Sequence, residues 1–222
     1  MDTNTKSRRT QKLRLRIVML AIAVLLGLVT LDGVVGRPWR AHWGASPSEV
    51  TAPMPGDTWV TDPDEVSTRA ITIRARPDQV WPWLAQMGRG RGGLYSYDWL
   101  DRLFGVLDRP SAQSLLPEFQ GLASGDTIPV GGGAVWPVAL AKAGEVLLIQ
   151  VDQGGARVSW VFTLRAQGES ETRLVTRVRG HLPASWSKPI ATTMLDYTEF
   201  IMVRRQLLNL RGRAERLAAG SR

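Results

Sequence analysis

The chain has no cysteine in its 222 residues. Disulfides, thiolate-held zinc and cysteine nucleophiles are therefore excluded. Histidine is almost absent, with only His42 and His181. A Ser/His/Asp triad needs a histidine inside a pocket, and neither residue lies in a pattern that supports this. No H-x-x-x-H string and no carboxylate cluster has metal-ligand spacing, so neither a metal nor a cofactor is expected. The P-loop lysine motif is missing as well.

What is present points elsewhere. Apolar residues make up 44% of the chain and charged residues 22%, enough for one sizeable core plus an appendage. Nine tryptophans is a high count, and such enrichment marks a cavity wall, an interface or an aromatic-rich core. The net charge of +8 is unevenly placed. Residues 1–16 hold six basic residues against Asp2, and residues 204–222 hold six arginines against Glu215. Each end carries +5, which leaves the body at −2 of the total. A nucleic-acid groove places its positive charge on the folded body. Nucleic acid is therefore not an expected partner.

Behind the basic tail, Ile17 to Leu31 is free of charge, and Asp32 to Gly36 extends the run to 20 residues. About 20 residues span the hydrocarbon core of a bilayer. Six basic residues precede the run and only Arg37 and Arg40 follow closely. The positive-inside rule places the N-terminus in the cytoplasm and the main domain on the opposite side. No A-x-A cleavage site follows, so the expectation is an uncleaved single-pass anchor over 17–36 after a cytoplasmic tail over 1–16. Cleaved secretion is the alternative.

Residues 37–66 carry Pro38, Pro47, Pro53, Pro55 and Pro63 without periodicity and read as an irregular arm. Thr68 to Arg74 alternates as a half-buried strand. Pro77 opens a helix whose stripe is Val80, Trp83, Leu84 and Met87. After a glycine-rich turn, Ser96 to Phe104 reads as a second short helix. Ser96 is its expected cap, and Trp99, Leu100, Leu103 and Phe104 form its apolar face. Five strands follow, around 126–130, 134–139, 145–151, 157–165 and 172–180. Short glycine turns separate them and imply antiparallel hairpins. A long helix over about 189–219 closes the chain, with a seam through Phe200, Val203, Leu207, Leu210, Ala214 and Leu217.

This order over residues 67–219 resembles the helix-grip fold of the SRPBCC superfamily, which includes START-like lipid carriers and polyketide cyclases. Thr68-Arg-Ala-Ile-Thr-Ile followed by Pro77-Asp-Gln-Val-Trp-Pro-Trp-Leu is similar to the opening strand and helix of these domains. The string Gln86-Met-Gly-Arg-Gly-Arg-Gly-Gly-Leu-Tyr-Ser-Tyr-Asp-Trp-Leu-Asp101 resembles a narrower, membrane-anchored bacterial branch. The resemblance implies an α+β fold with a curved antiparallel sheet wrapped around the C-terminal helix. It also implies an internal pocket for a hydrophobic small molecule or lipid.

Several residues are candidates for that pocket. Trp136, Trp160 and Phe162 lie on strands, and Trp83 and Phe200 lie on helical seams. All five supply flat apolar walls if they face inward. Gly88-x-Gly90-x-Gly92-Gly93 follows a helix rather than a strand, so it is not a dinucleotide loop. Its Arg89 and Arg91 can pair with an anionic head in a fork, or simply close a helix end with solvated charge. Tyr95, Tyr97 and Trp99 lie at the pocket mouth or pack on the sheet. Asp98 and Asp101 share a helix face at i, i+3, which suits acid–base chemistry or an exposed face beside Arg102. Arg173, Arg177 and Arg179 alternate on one strand face, read as a wet outer surface.

The leading expectation is membrane-tethered, non-catalytic handling of a hydrophobic ligand. A cyclase or dehydratase on the same fold predicts an inward Tyr or Asp in a perturbed environment. A protein-interaction module using the basic C-terminal helix predicts a filled core. The sequence carries no signal for an oligomeric state.

Overall fold

The computed structural model describes residues 19–21, 23, 24, 27–183 and 188–220. The chain divides into two units, Met1–Trp39 and Arg40–Arg222. In the first, the 1–16 tail lies outside the described residues, as do positions 17, 18, 22, 25 and 26 of the expected anchor. The described residues up to Leu31 are α-helical, and Asp32–Gly36 forms a π-helical turn. Met19, Leu20, Val24, Leu28 and Val29 all stand exposed. Among the described residues, no helix is long and apolar enough to cross a membrane.

The second unit holds β1 (Glu65–Ile73), β2 (Thr127–Pro129), β3 (Val135–Lys142), β4 (Val146–Gln153), β5 (Ala156–Gln167) and β6 (Glu171–His181). They form one sheet in the order β1-β6-β5-β4-β3-β2, with every neighbour antiparallel. Its helices are α1 (Pro47–Thr51), α2 (Pro77–Ala85), α3 (Asp98–Leu103) and α4 (Lys188–Gly220). Strand positions thus follow the alternation and glycine turns read from the sequence. Gln153 pairs with Ala156 across Gly154-Gly155, both at positive φ, the backbone a two-residue hairpin requires.

Alternation along the strands sends Ile71, Ile73, Leu174, Phe162 and Ile149 to one face. There they meet Val203, Leu207, Leu210 and Ala214 of α4, spaced as a 3.6-residue helix demands. Arg69, 1% exposed on this face, donates through Nη1 to Ser67 Oγ and Glu199, and through Nε to the Arg40 carbonyl. Arg40 in turn pairs with buried Asp196 at 2.6 Å.

The other face departs from expectation. It is not wet. Residues 44–64 lie across it, and Met54 packs with Ala70, Val146, Leu148, Val161 and Val175. The contact is close: a Cβ on Gly56 would sit 2.4 Å from Ser159 Oγ. Nor is the arm irregular throughout, since Ser46 and Glu49 form a reciprocal capping box on α1. The arginines of β6 pin the arm down. Arg173 forks onto both Glu49 oxygens at 2.8 Å. Arg177 donates to Asp57, to Thr68 Oγ1 and to the carbonyls of Glu49, Val50 and Ala52. Arg179 donates to the Val60 carbonyl. A guanidinium can be buried when all its donors find acceptors, and arm carbonyls supply them here.

Candidate ligand pocket

A partly open pocket of about 220 Å³ lies between α4 and the strands β3 and β5, beside α3. Trp136, Trp160, Met202 and Val203 supply apolar walls, with Leu94 and Val106 closing it from the loops around α3. Trp136 and Trp160 meet edge to face with ring centres 5.5 Å apart. Trp160 stacks at a tilt on buried Phe162, at 4.9 Å. The Trp160 indole N–H donates to Thr176 Oγ1 at 2.9 Å, so the polar end of the ring is satisfied away from its apolar faces.

Three polar side chains line the same cavity: Ser96, Asp101 and Gln206. Asp101 is 3% exposed, so the expected exposed carboxylate face is corrected. Burial pushes its carboxyl pKa up, the hydrogen bond from Ser96 opposes that shift, and the Asp98 charge adds to it. Ser96 is not the helix cap. It precedes Tyr97, the residue at the cap position, and spends its hydroxyl on Asp101. The expected apolar face of α3 is inverted, because Trp99, Leu103 and Phe104 are exposed while Asp101 faces in. A six-residue helix is too short for periodicity to choose its inner side. The polar residues found partners instead: Ser111 Oγ donates to Asp98 at 2.6 Å and accepts the Tyr95 N–H at 3.0 Å.

The glycine-rich turn has a structural task. Gly88 and Gly93 bridge each other as a miniature ladder. Gly93 has φ of 85°, and a Cβ there would lie 2.5 Å from Ser111 Oγ. Arg89 donates to the Gly105 carbonyl at 2.6 Å. Arg91 donates to the Ala85 carbonyl at 2.9 Å and covers the Phe119 ring. Both arginines therefore tie loops together and lie off the cavity lining.

Tyr95 takes φ of 61°, rare for a side chain with a Cβ. Its surroundings over-determine it. The Tyr95 carbonyl accepts from Asn209 at 2.7 Å, the ring meets Trp83 edge-on at 6.1 Å, and Arg213 lies 4.8 Å above it. Burial drives its phenol pKa well above the ordinary value, with Gln86, Arg213 and Arg91 opposing. Tyr95, Trp83 and Phe162 are thus packed core rather than cavity wall. Phe200 lies under the Arg69 guanidinium at 5.8 Å, away from the cavity. Of the ten candidate residues, Trp136 and Trp160 line this pocket, and Tyr97 and Trp99 line a second cleft on the other side of α3.

Sequence reading missed one set of residues. Gln206, Asn209 and Arg213 of α4 hold the loop beneath α3 through the carbonyls of Leu94, Tyr95 and Ala112. Their spacing of three and four places them on one helix face, a polar stripe beside the apolar seam. Gln206 Oε1 is buried and has no hydrogen-bond partner among the described residues.

No protein-family model matches the sequence, and no curated protein matches it. Solved structures do resemble it. A START superfamily protein from Mycobacterium smegmatis is 11% identical, with a TM-score of 0.43 over 68% of this chain and 98% of that one. An aromatase/cyclase from a Streptomyces species is 16% identical, with a TM-score of 0.44 over 68% and 94%. A conserved protein from Geobacillus kaustophilus is 16% identical, with a TM-score of 0.41 over 68% and 96%. The strand order, the antiparallel register throughout and the long closing helix make an α+β fold, with one six-stranded antiparallel sheet against a C-terminal helix.

Proposed function

We propose that the chain is a membrane-tethered protein that holds a small hydrophobic molecule between its sheet and its closing helix. The observation that carries this is the cavity walled by Trp136, Trp160, Met202 and Val203, with its few polar groups gathered around Asp101. Flat apolar walls with a small convergent polar set are the usual make-up of a small-molecule site. At about 220 Å³ the space suits a short chain or a compact ring system. The tether rests on the basic tail and on the exposed apolar side chains of the helical residues before Asp32. By the positive-inside rule the pocket lies on the extracytoplasmic side.

The test uses the purified full chain in a non-ionic detergent. Organic extraction and mass spectrometry identify a co-purifying lipid or isoprenoid, and uptake of the neutral probe N-phenylnaphthylamine reports an open pocket. Val106→Phe places a ring into the cavity from a partly buried loop position and is expected to abolish probe uptake while leaving the melting temperature within a few degrees. An empty extract together with no probe uptake would overturn the reading.

A second reading has one specific observation in its favour. Asp101 is buried at the cavity wall with its carboxyl pKa raised. A carboxyl kept neutral can donate a hydrogen bond, or a proton, to a carbonyl or hydroxyl of a bound ligand. This is the requirement of a cyclase or dehydratase. Asp101→Asn separates the two readings: a carrier keeps its ligand in this variant, whereas an enzyme loses turnover of a candidate polyketide.

A further inference from the structure

Arg204, Arg205, Arg211, Arg213 and Arg216 lie on α4, and three of them line a cleft of about 530 Å³ on the outer side of α3. Arg205, Arg213 and Arg216 come from one stripe of α4, and Arg102 approaches from α3. Tyr97 and Trp99 add aromatic walls, with Arg205 lying 5.4 Å over the Tyr97 ring and Trp99 60% exposed. Gly212 also lines the cleft, and its lack of a side chain leaves room beside the Arg216 guanidinium.

The charges in this cleft do not balance. Asp98 is the single carboxylate on the lining, and it already accepts the Ser111 hydroxyl. Four guanidinium groups share the cleft with it. Arg213 is 6% exposed, with Nε given to the Ala112 carbonyl. Burial lowers its pKa, and Arg216 and Arg205 push the same way, while Tyr95 and Asp98 oppose them. Cations that repel one another in a concave site are relieved by an anion.

We infer that this cleft binds an organic phosphate, its phosphoryl group held by Arg102, Arg205, Arg213 and Arg216 and its organic part against Tyr97 and Trp99. Phosphate offers about two charges and three strong acceptors, which matches several guanidinium forks better than a single carboxylate does. The volume exceeds what inorganic phosphate fills, and flat rings favour apolar or aromatic neighbours. The cleft and the apolar cavity share Ser96 and the two sides of α3, yet they differ in chemistry. The inference is independent of what the inner cavity holds.

The shared chemistry, a phosphate monoester, can come from a soluble metabolite or from a lipid head group. Calorimetric titration of the full chain in non-ionic detergent uses inorganic phosphate, phenyl phosphate and dihexanoyl phosphatidic acid as probes. Saturable binding of phenyl phosphate tighter than inorganic phosphate supports the soluble source, and tighter binding of the phosphatidic acid supports the lipid source. Both arms require that Arg102→Gln with Arg216→Gln, two exposed positions, weaken binding about tenfold per arginine. The exposed Arg157→Gln, outside the cleft, is expected to leave binding unchanged. Three outcomes overturn the inference: no saturable binding of either organic probe, equal loss in the Arg157 variant, or inorganic phosphate binding as tightly as both. Far-ultraviolet circular dichroism and a cooperative thermal melt, measured in the same preparation, show that the protein is folded in every arm.

Discussion

The two faces of the sheet solve the same problem in different ways. The inner face is covered by α4 and keeps an apolar cavity beside it, where Trp136 and Trp160 stand without full packing. The outer face is covered by residues 44–64 and is held by directional polar bonds, with Arg177 alone donating to Asp57, Thr68 and three carbonyls. A helix laid along a curved sheet touches it along a line and leaves room at one side. A segment of irregular chain follows the surface closely because its carbonyls can turn to each donor. The inner face is thus suited to hold a guest, and the outer face to stay shut.

The strongest way to break this comparison is Arg177→Met. Methionine fills much of the space yet satisfies none of the five acceptors, and it leaves the Asp57 carboxylate, only 22% exposed, without its partner. Loss of one member of a buried ion pair costs about 3–5 kcal/mol. Urea denaturation monitored by tryptophan fluorescence is expected to show a loss of that size, with protease cleavage appearing first within residues 44–64. A loss below about 1 kcal/mol would mean that the arm is merely laid on the sheet.

The two faces also differ in how far the sequence disclosed them. The strands, their antiparallel order and the long helix were legible because alternation and 3.6-residue spacing record which side of an element is buried. Ile71, Ile73, Phe162, Val203, Leu207 and Leu210 all lie where that spacing placed them. The alternation of Arg173, Arg177 and Arg179 likewise identified one face, but charge was read as exposure. What covers those arginines is a proline-rich segment without periodicity, whose contribution is backbone carbonyls, and carbonyls leave no mark in a sequence. Asp101 was hidden for a related reason. In α3 the apolar residues Trp99, Leu103 and Phe104 face out, and the buried acid is explained only by Ser96 and the cavity. The basic C-terminal helix was legible, and the spacing of Arg205, Arg213 and Arg216 puts them on one stripe of it; the cleft was not, because Arg102, Tyr97 and Trp99 reach that stripe only through the tertiary fold.

A smaller effect sharpens the comparison through pH. The Arg173 fork, with burial opposing and Ser46 assisting, holds Glu49 at about 2, below its ordinary 4.5. A depressed carboxyl stabilises the fold fully above the unfolded value. That contribution is lost as pH falls from about 4.5 toward 2. Glu49→Gln keeps an acceptor for the capping box but removes the charged fork, at a cost of about 1–3 kcal/mol at neutral pH. Its stability is expected to depend less on pH across that acid window than the parent's, as read from melting temperatures between pH 2 and 7. A parallel acid limb in both proteins would show that the outer face does not depend on this pair.

The smallest effect has the opposite sign and belongs to the inner face. Asp101 has its pKa raised above the ordinary 3.8, chiefly by burial. Below 3.8 its carboxyl is neutral in both folded and unfolded chains, and its full contribution is present. As pH rises through 3.8 and then through the raised folded value, the unfolded chain ionises first and stability is lost. Asp101→Asn keeps an acceptor for the Ser96 hydroxyl but cannot ionise. The variant is therefore expected to match the parent in acid and to exceed it at neutral pH by on the order of 1 kcal/mol. Thermal melts of parent, Glu49→Gln and Asp101→Asn across one pH series place the two carboxyls side by side. The Glu49 substitution flattens the acid limb and the Asp101 one lifts the neutral limb, because Arg173 holds the first carboxyl charged while burial disfavours the charge of the second.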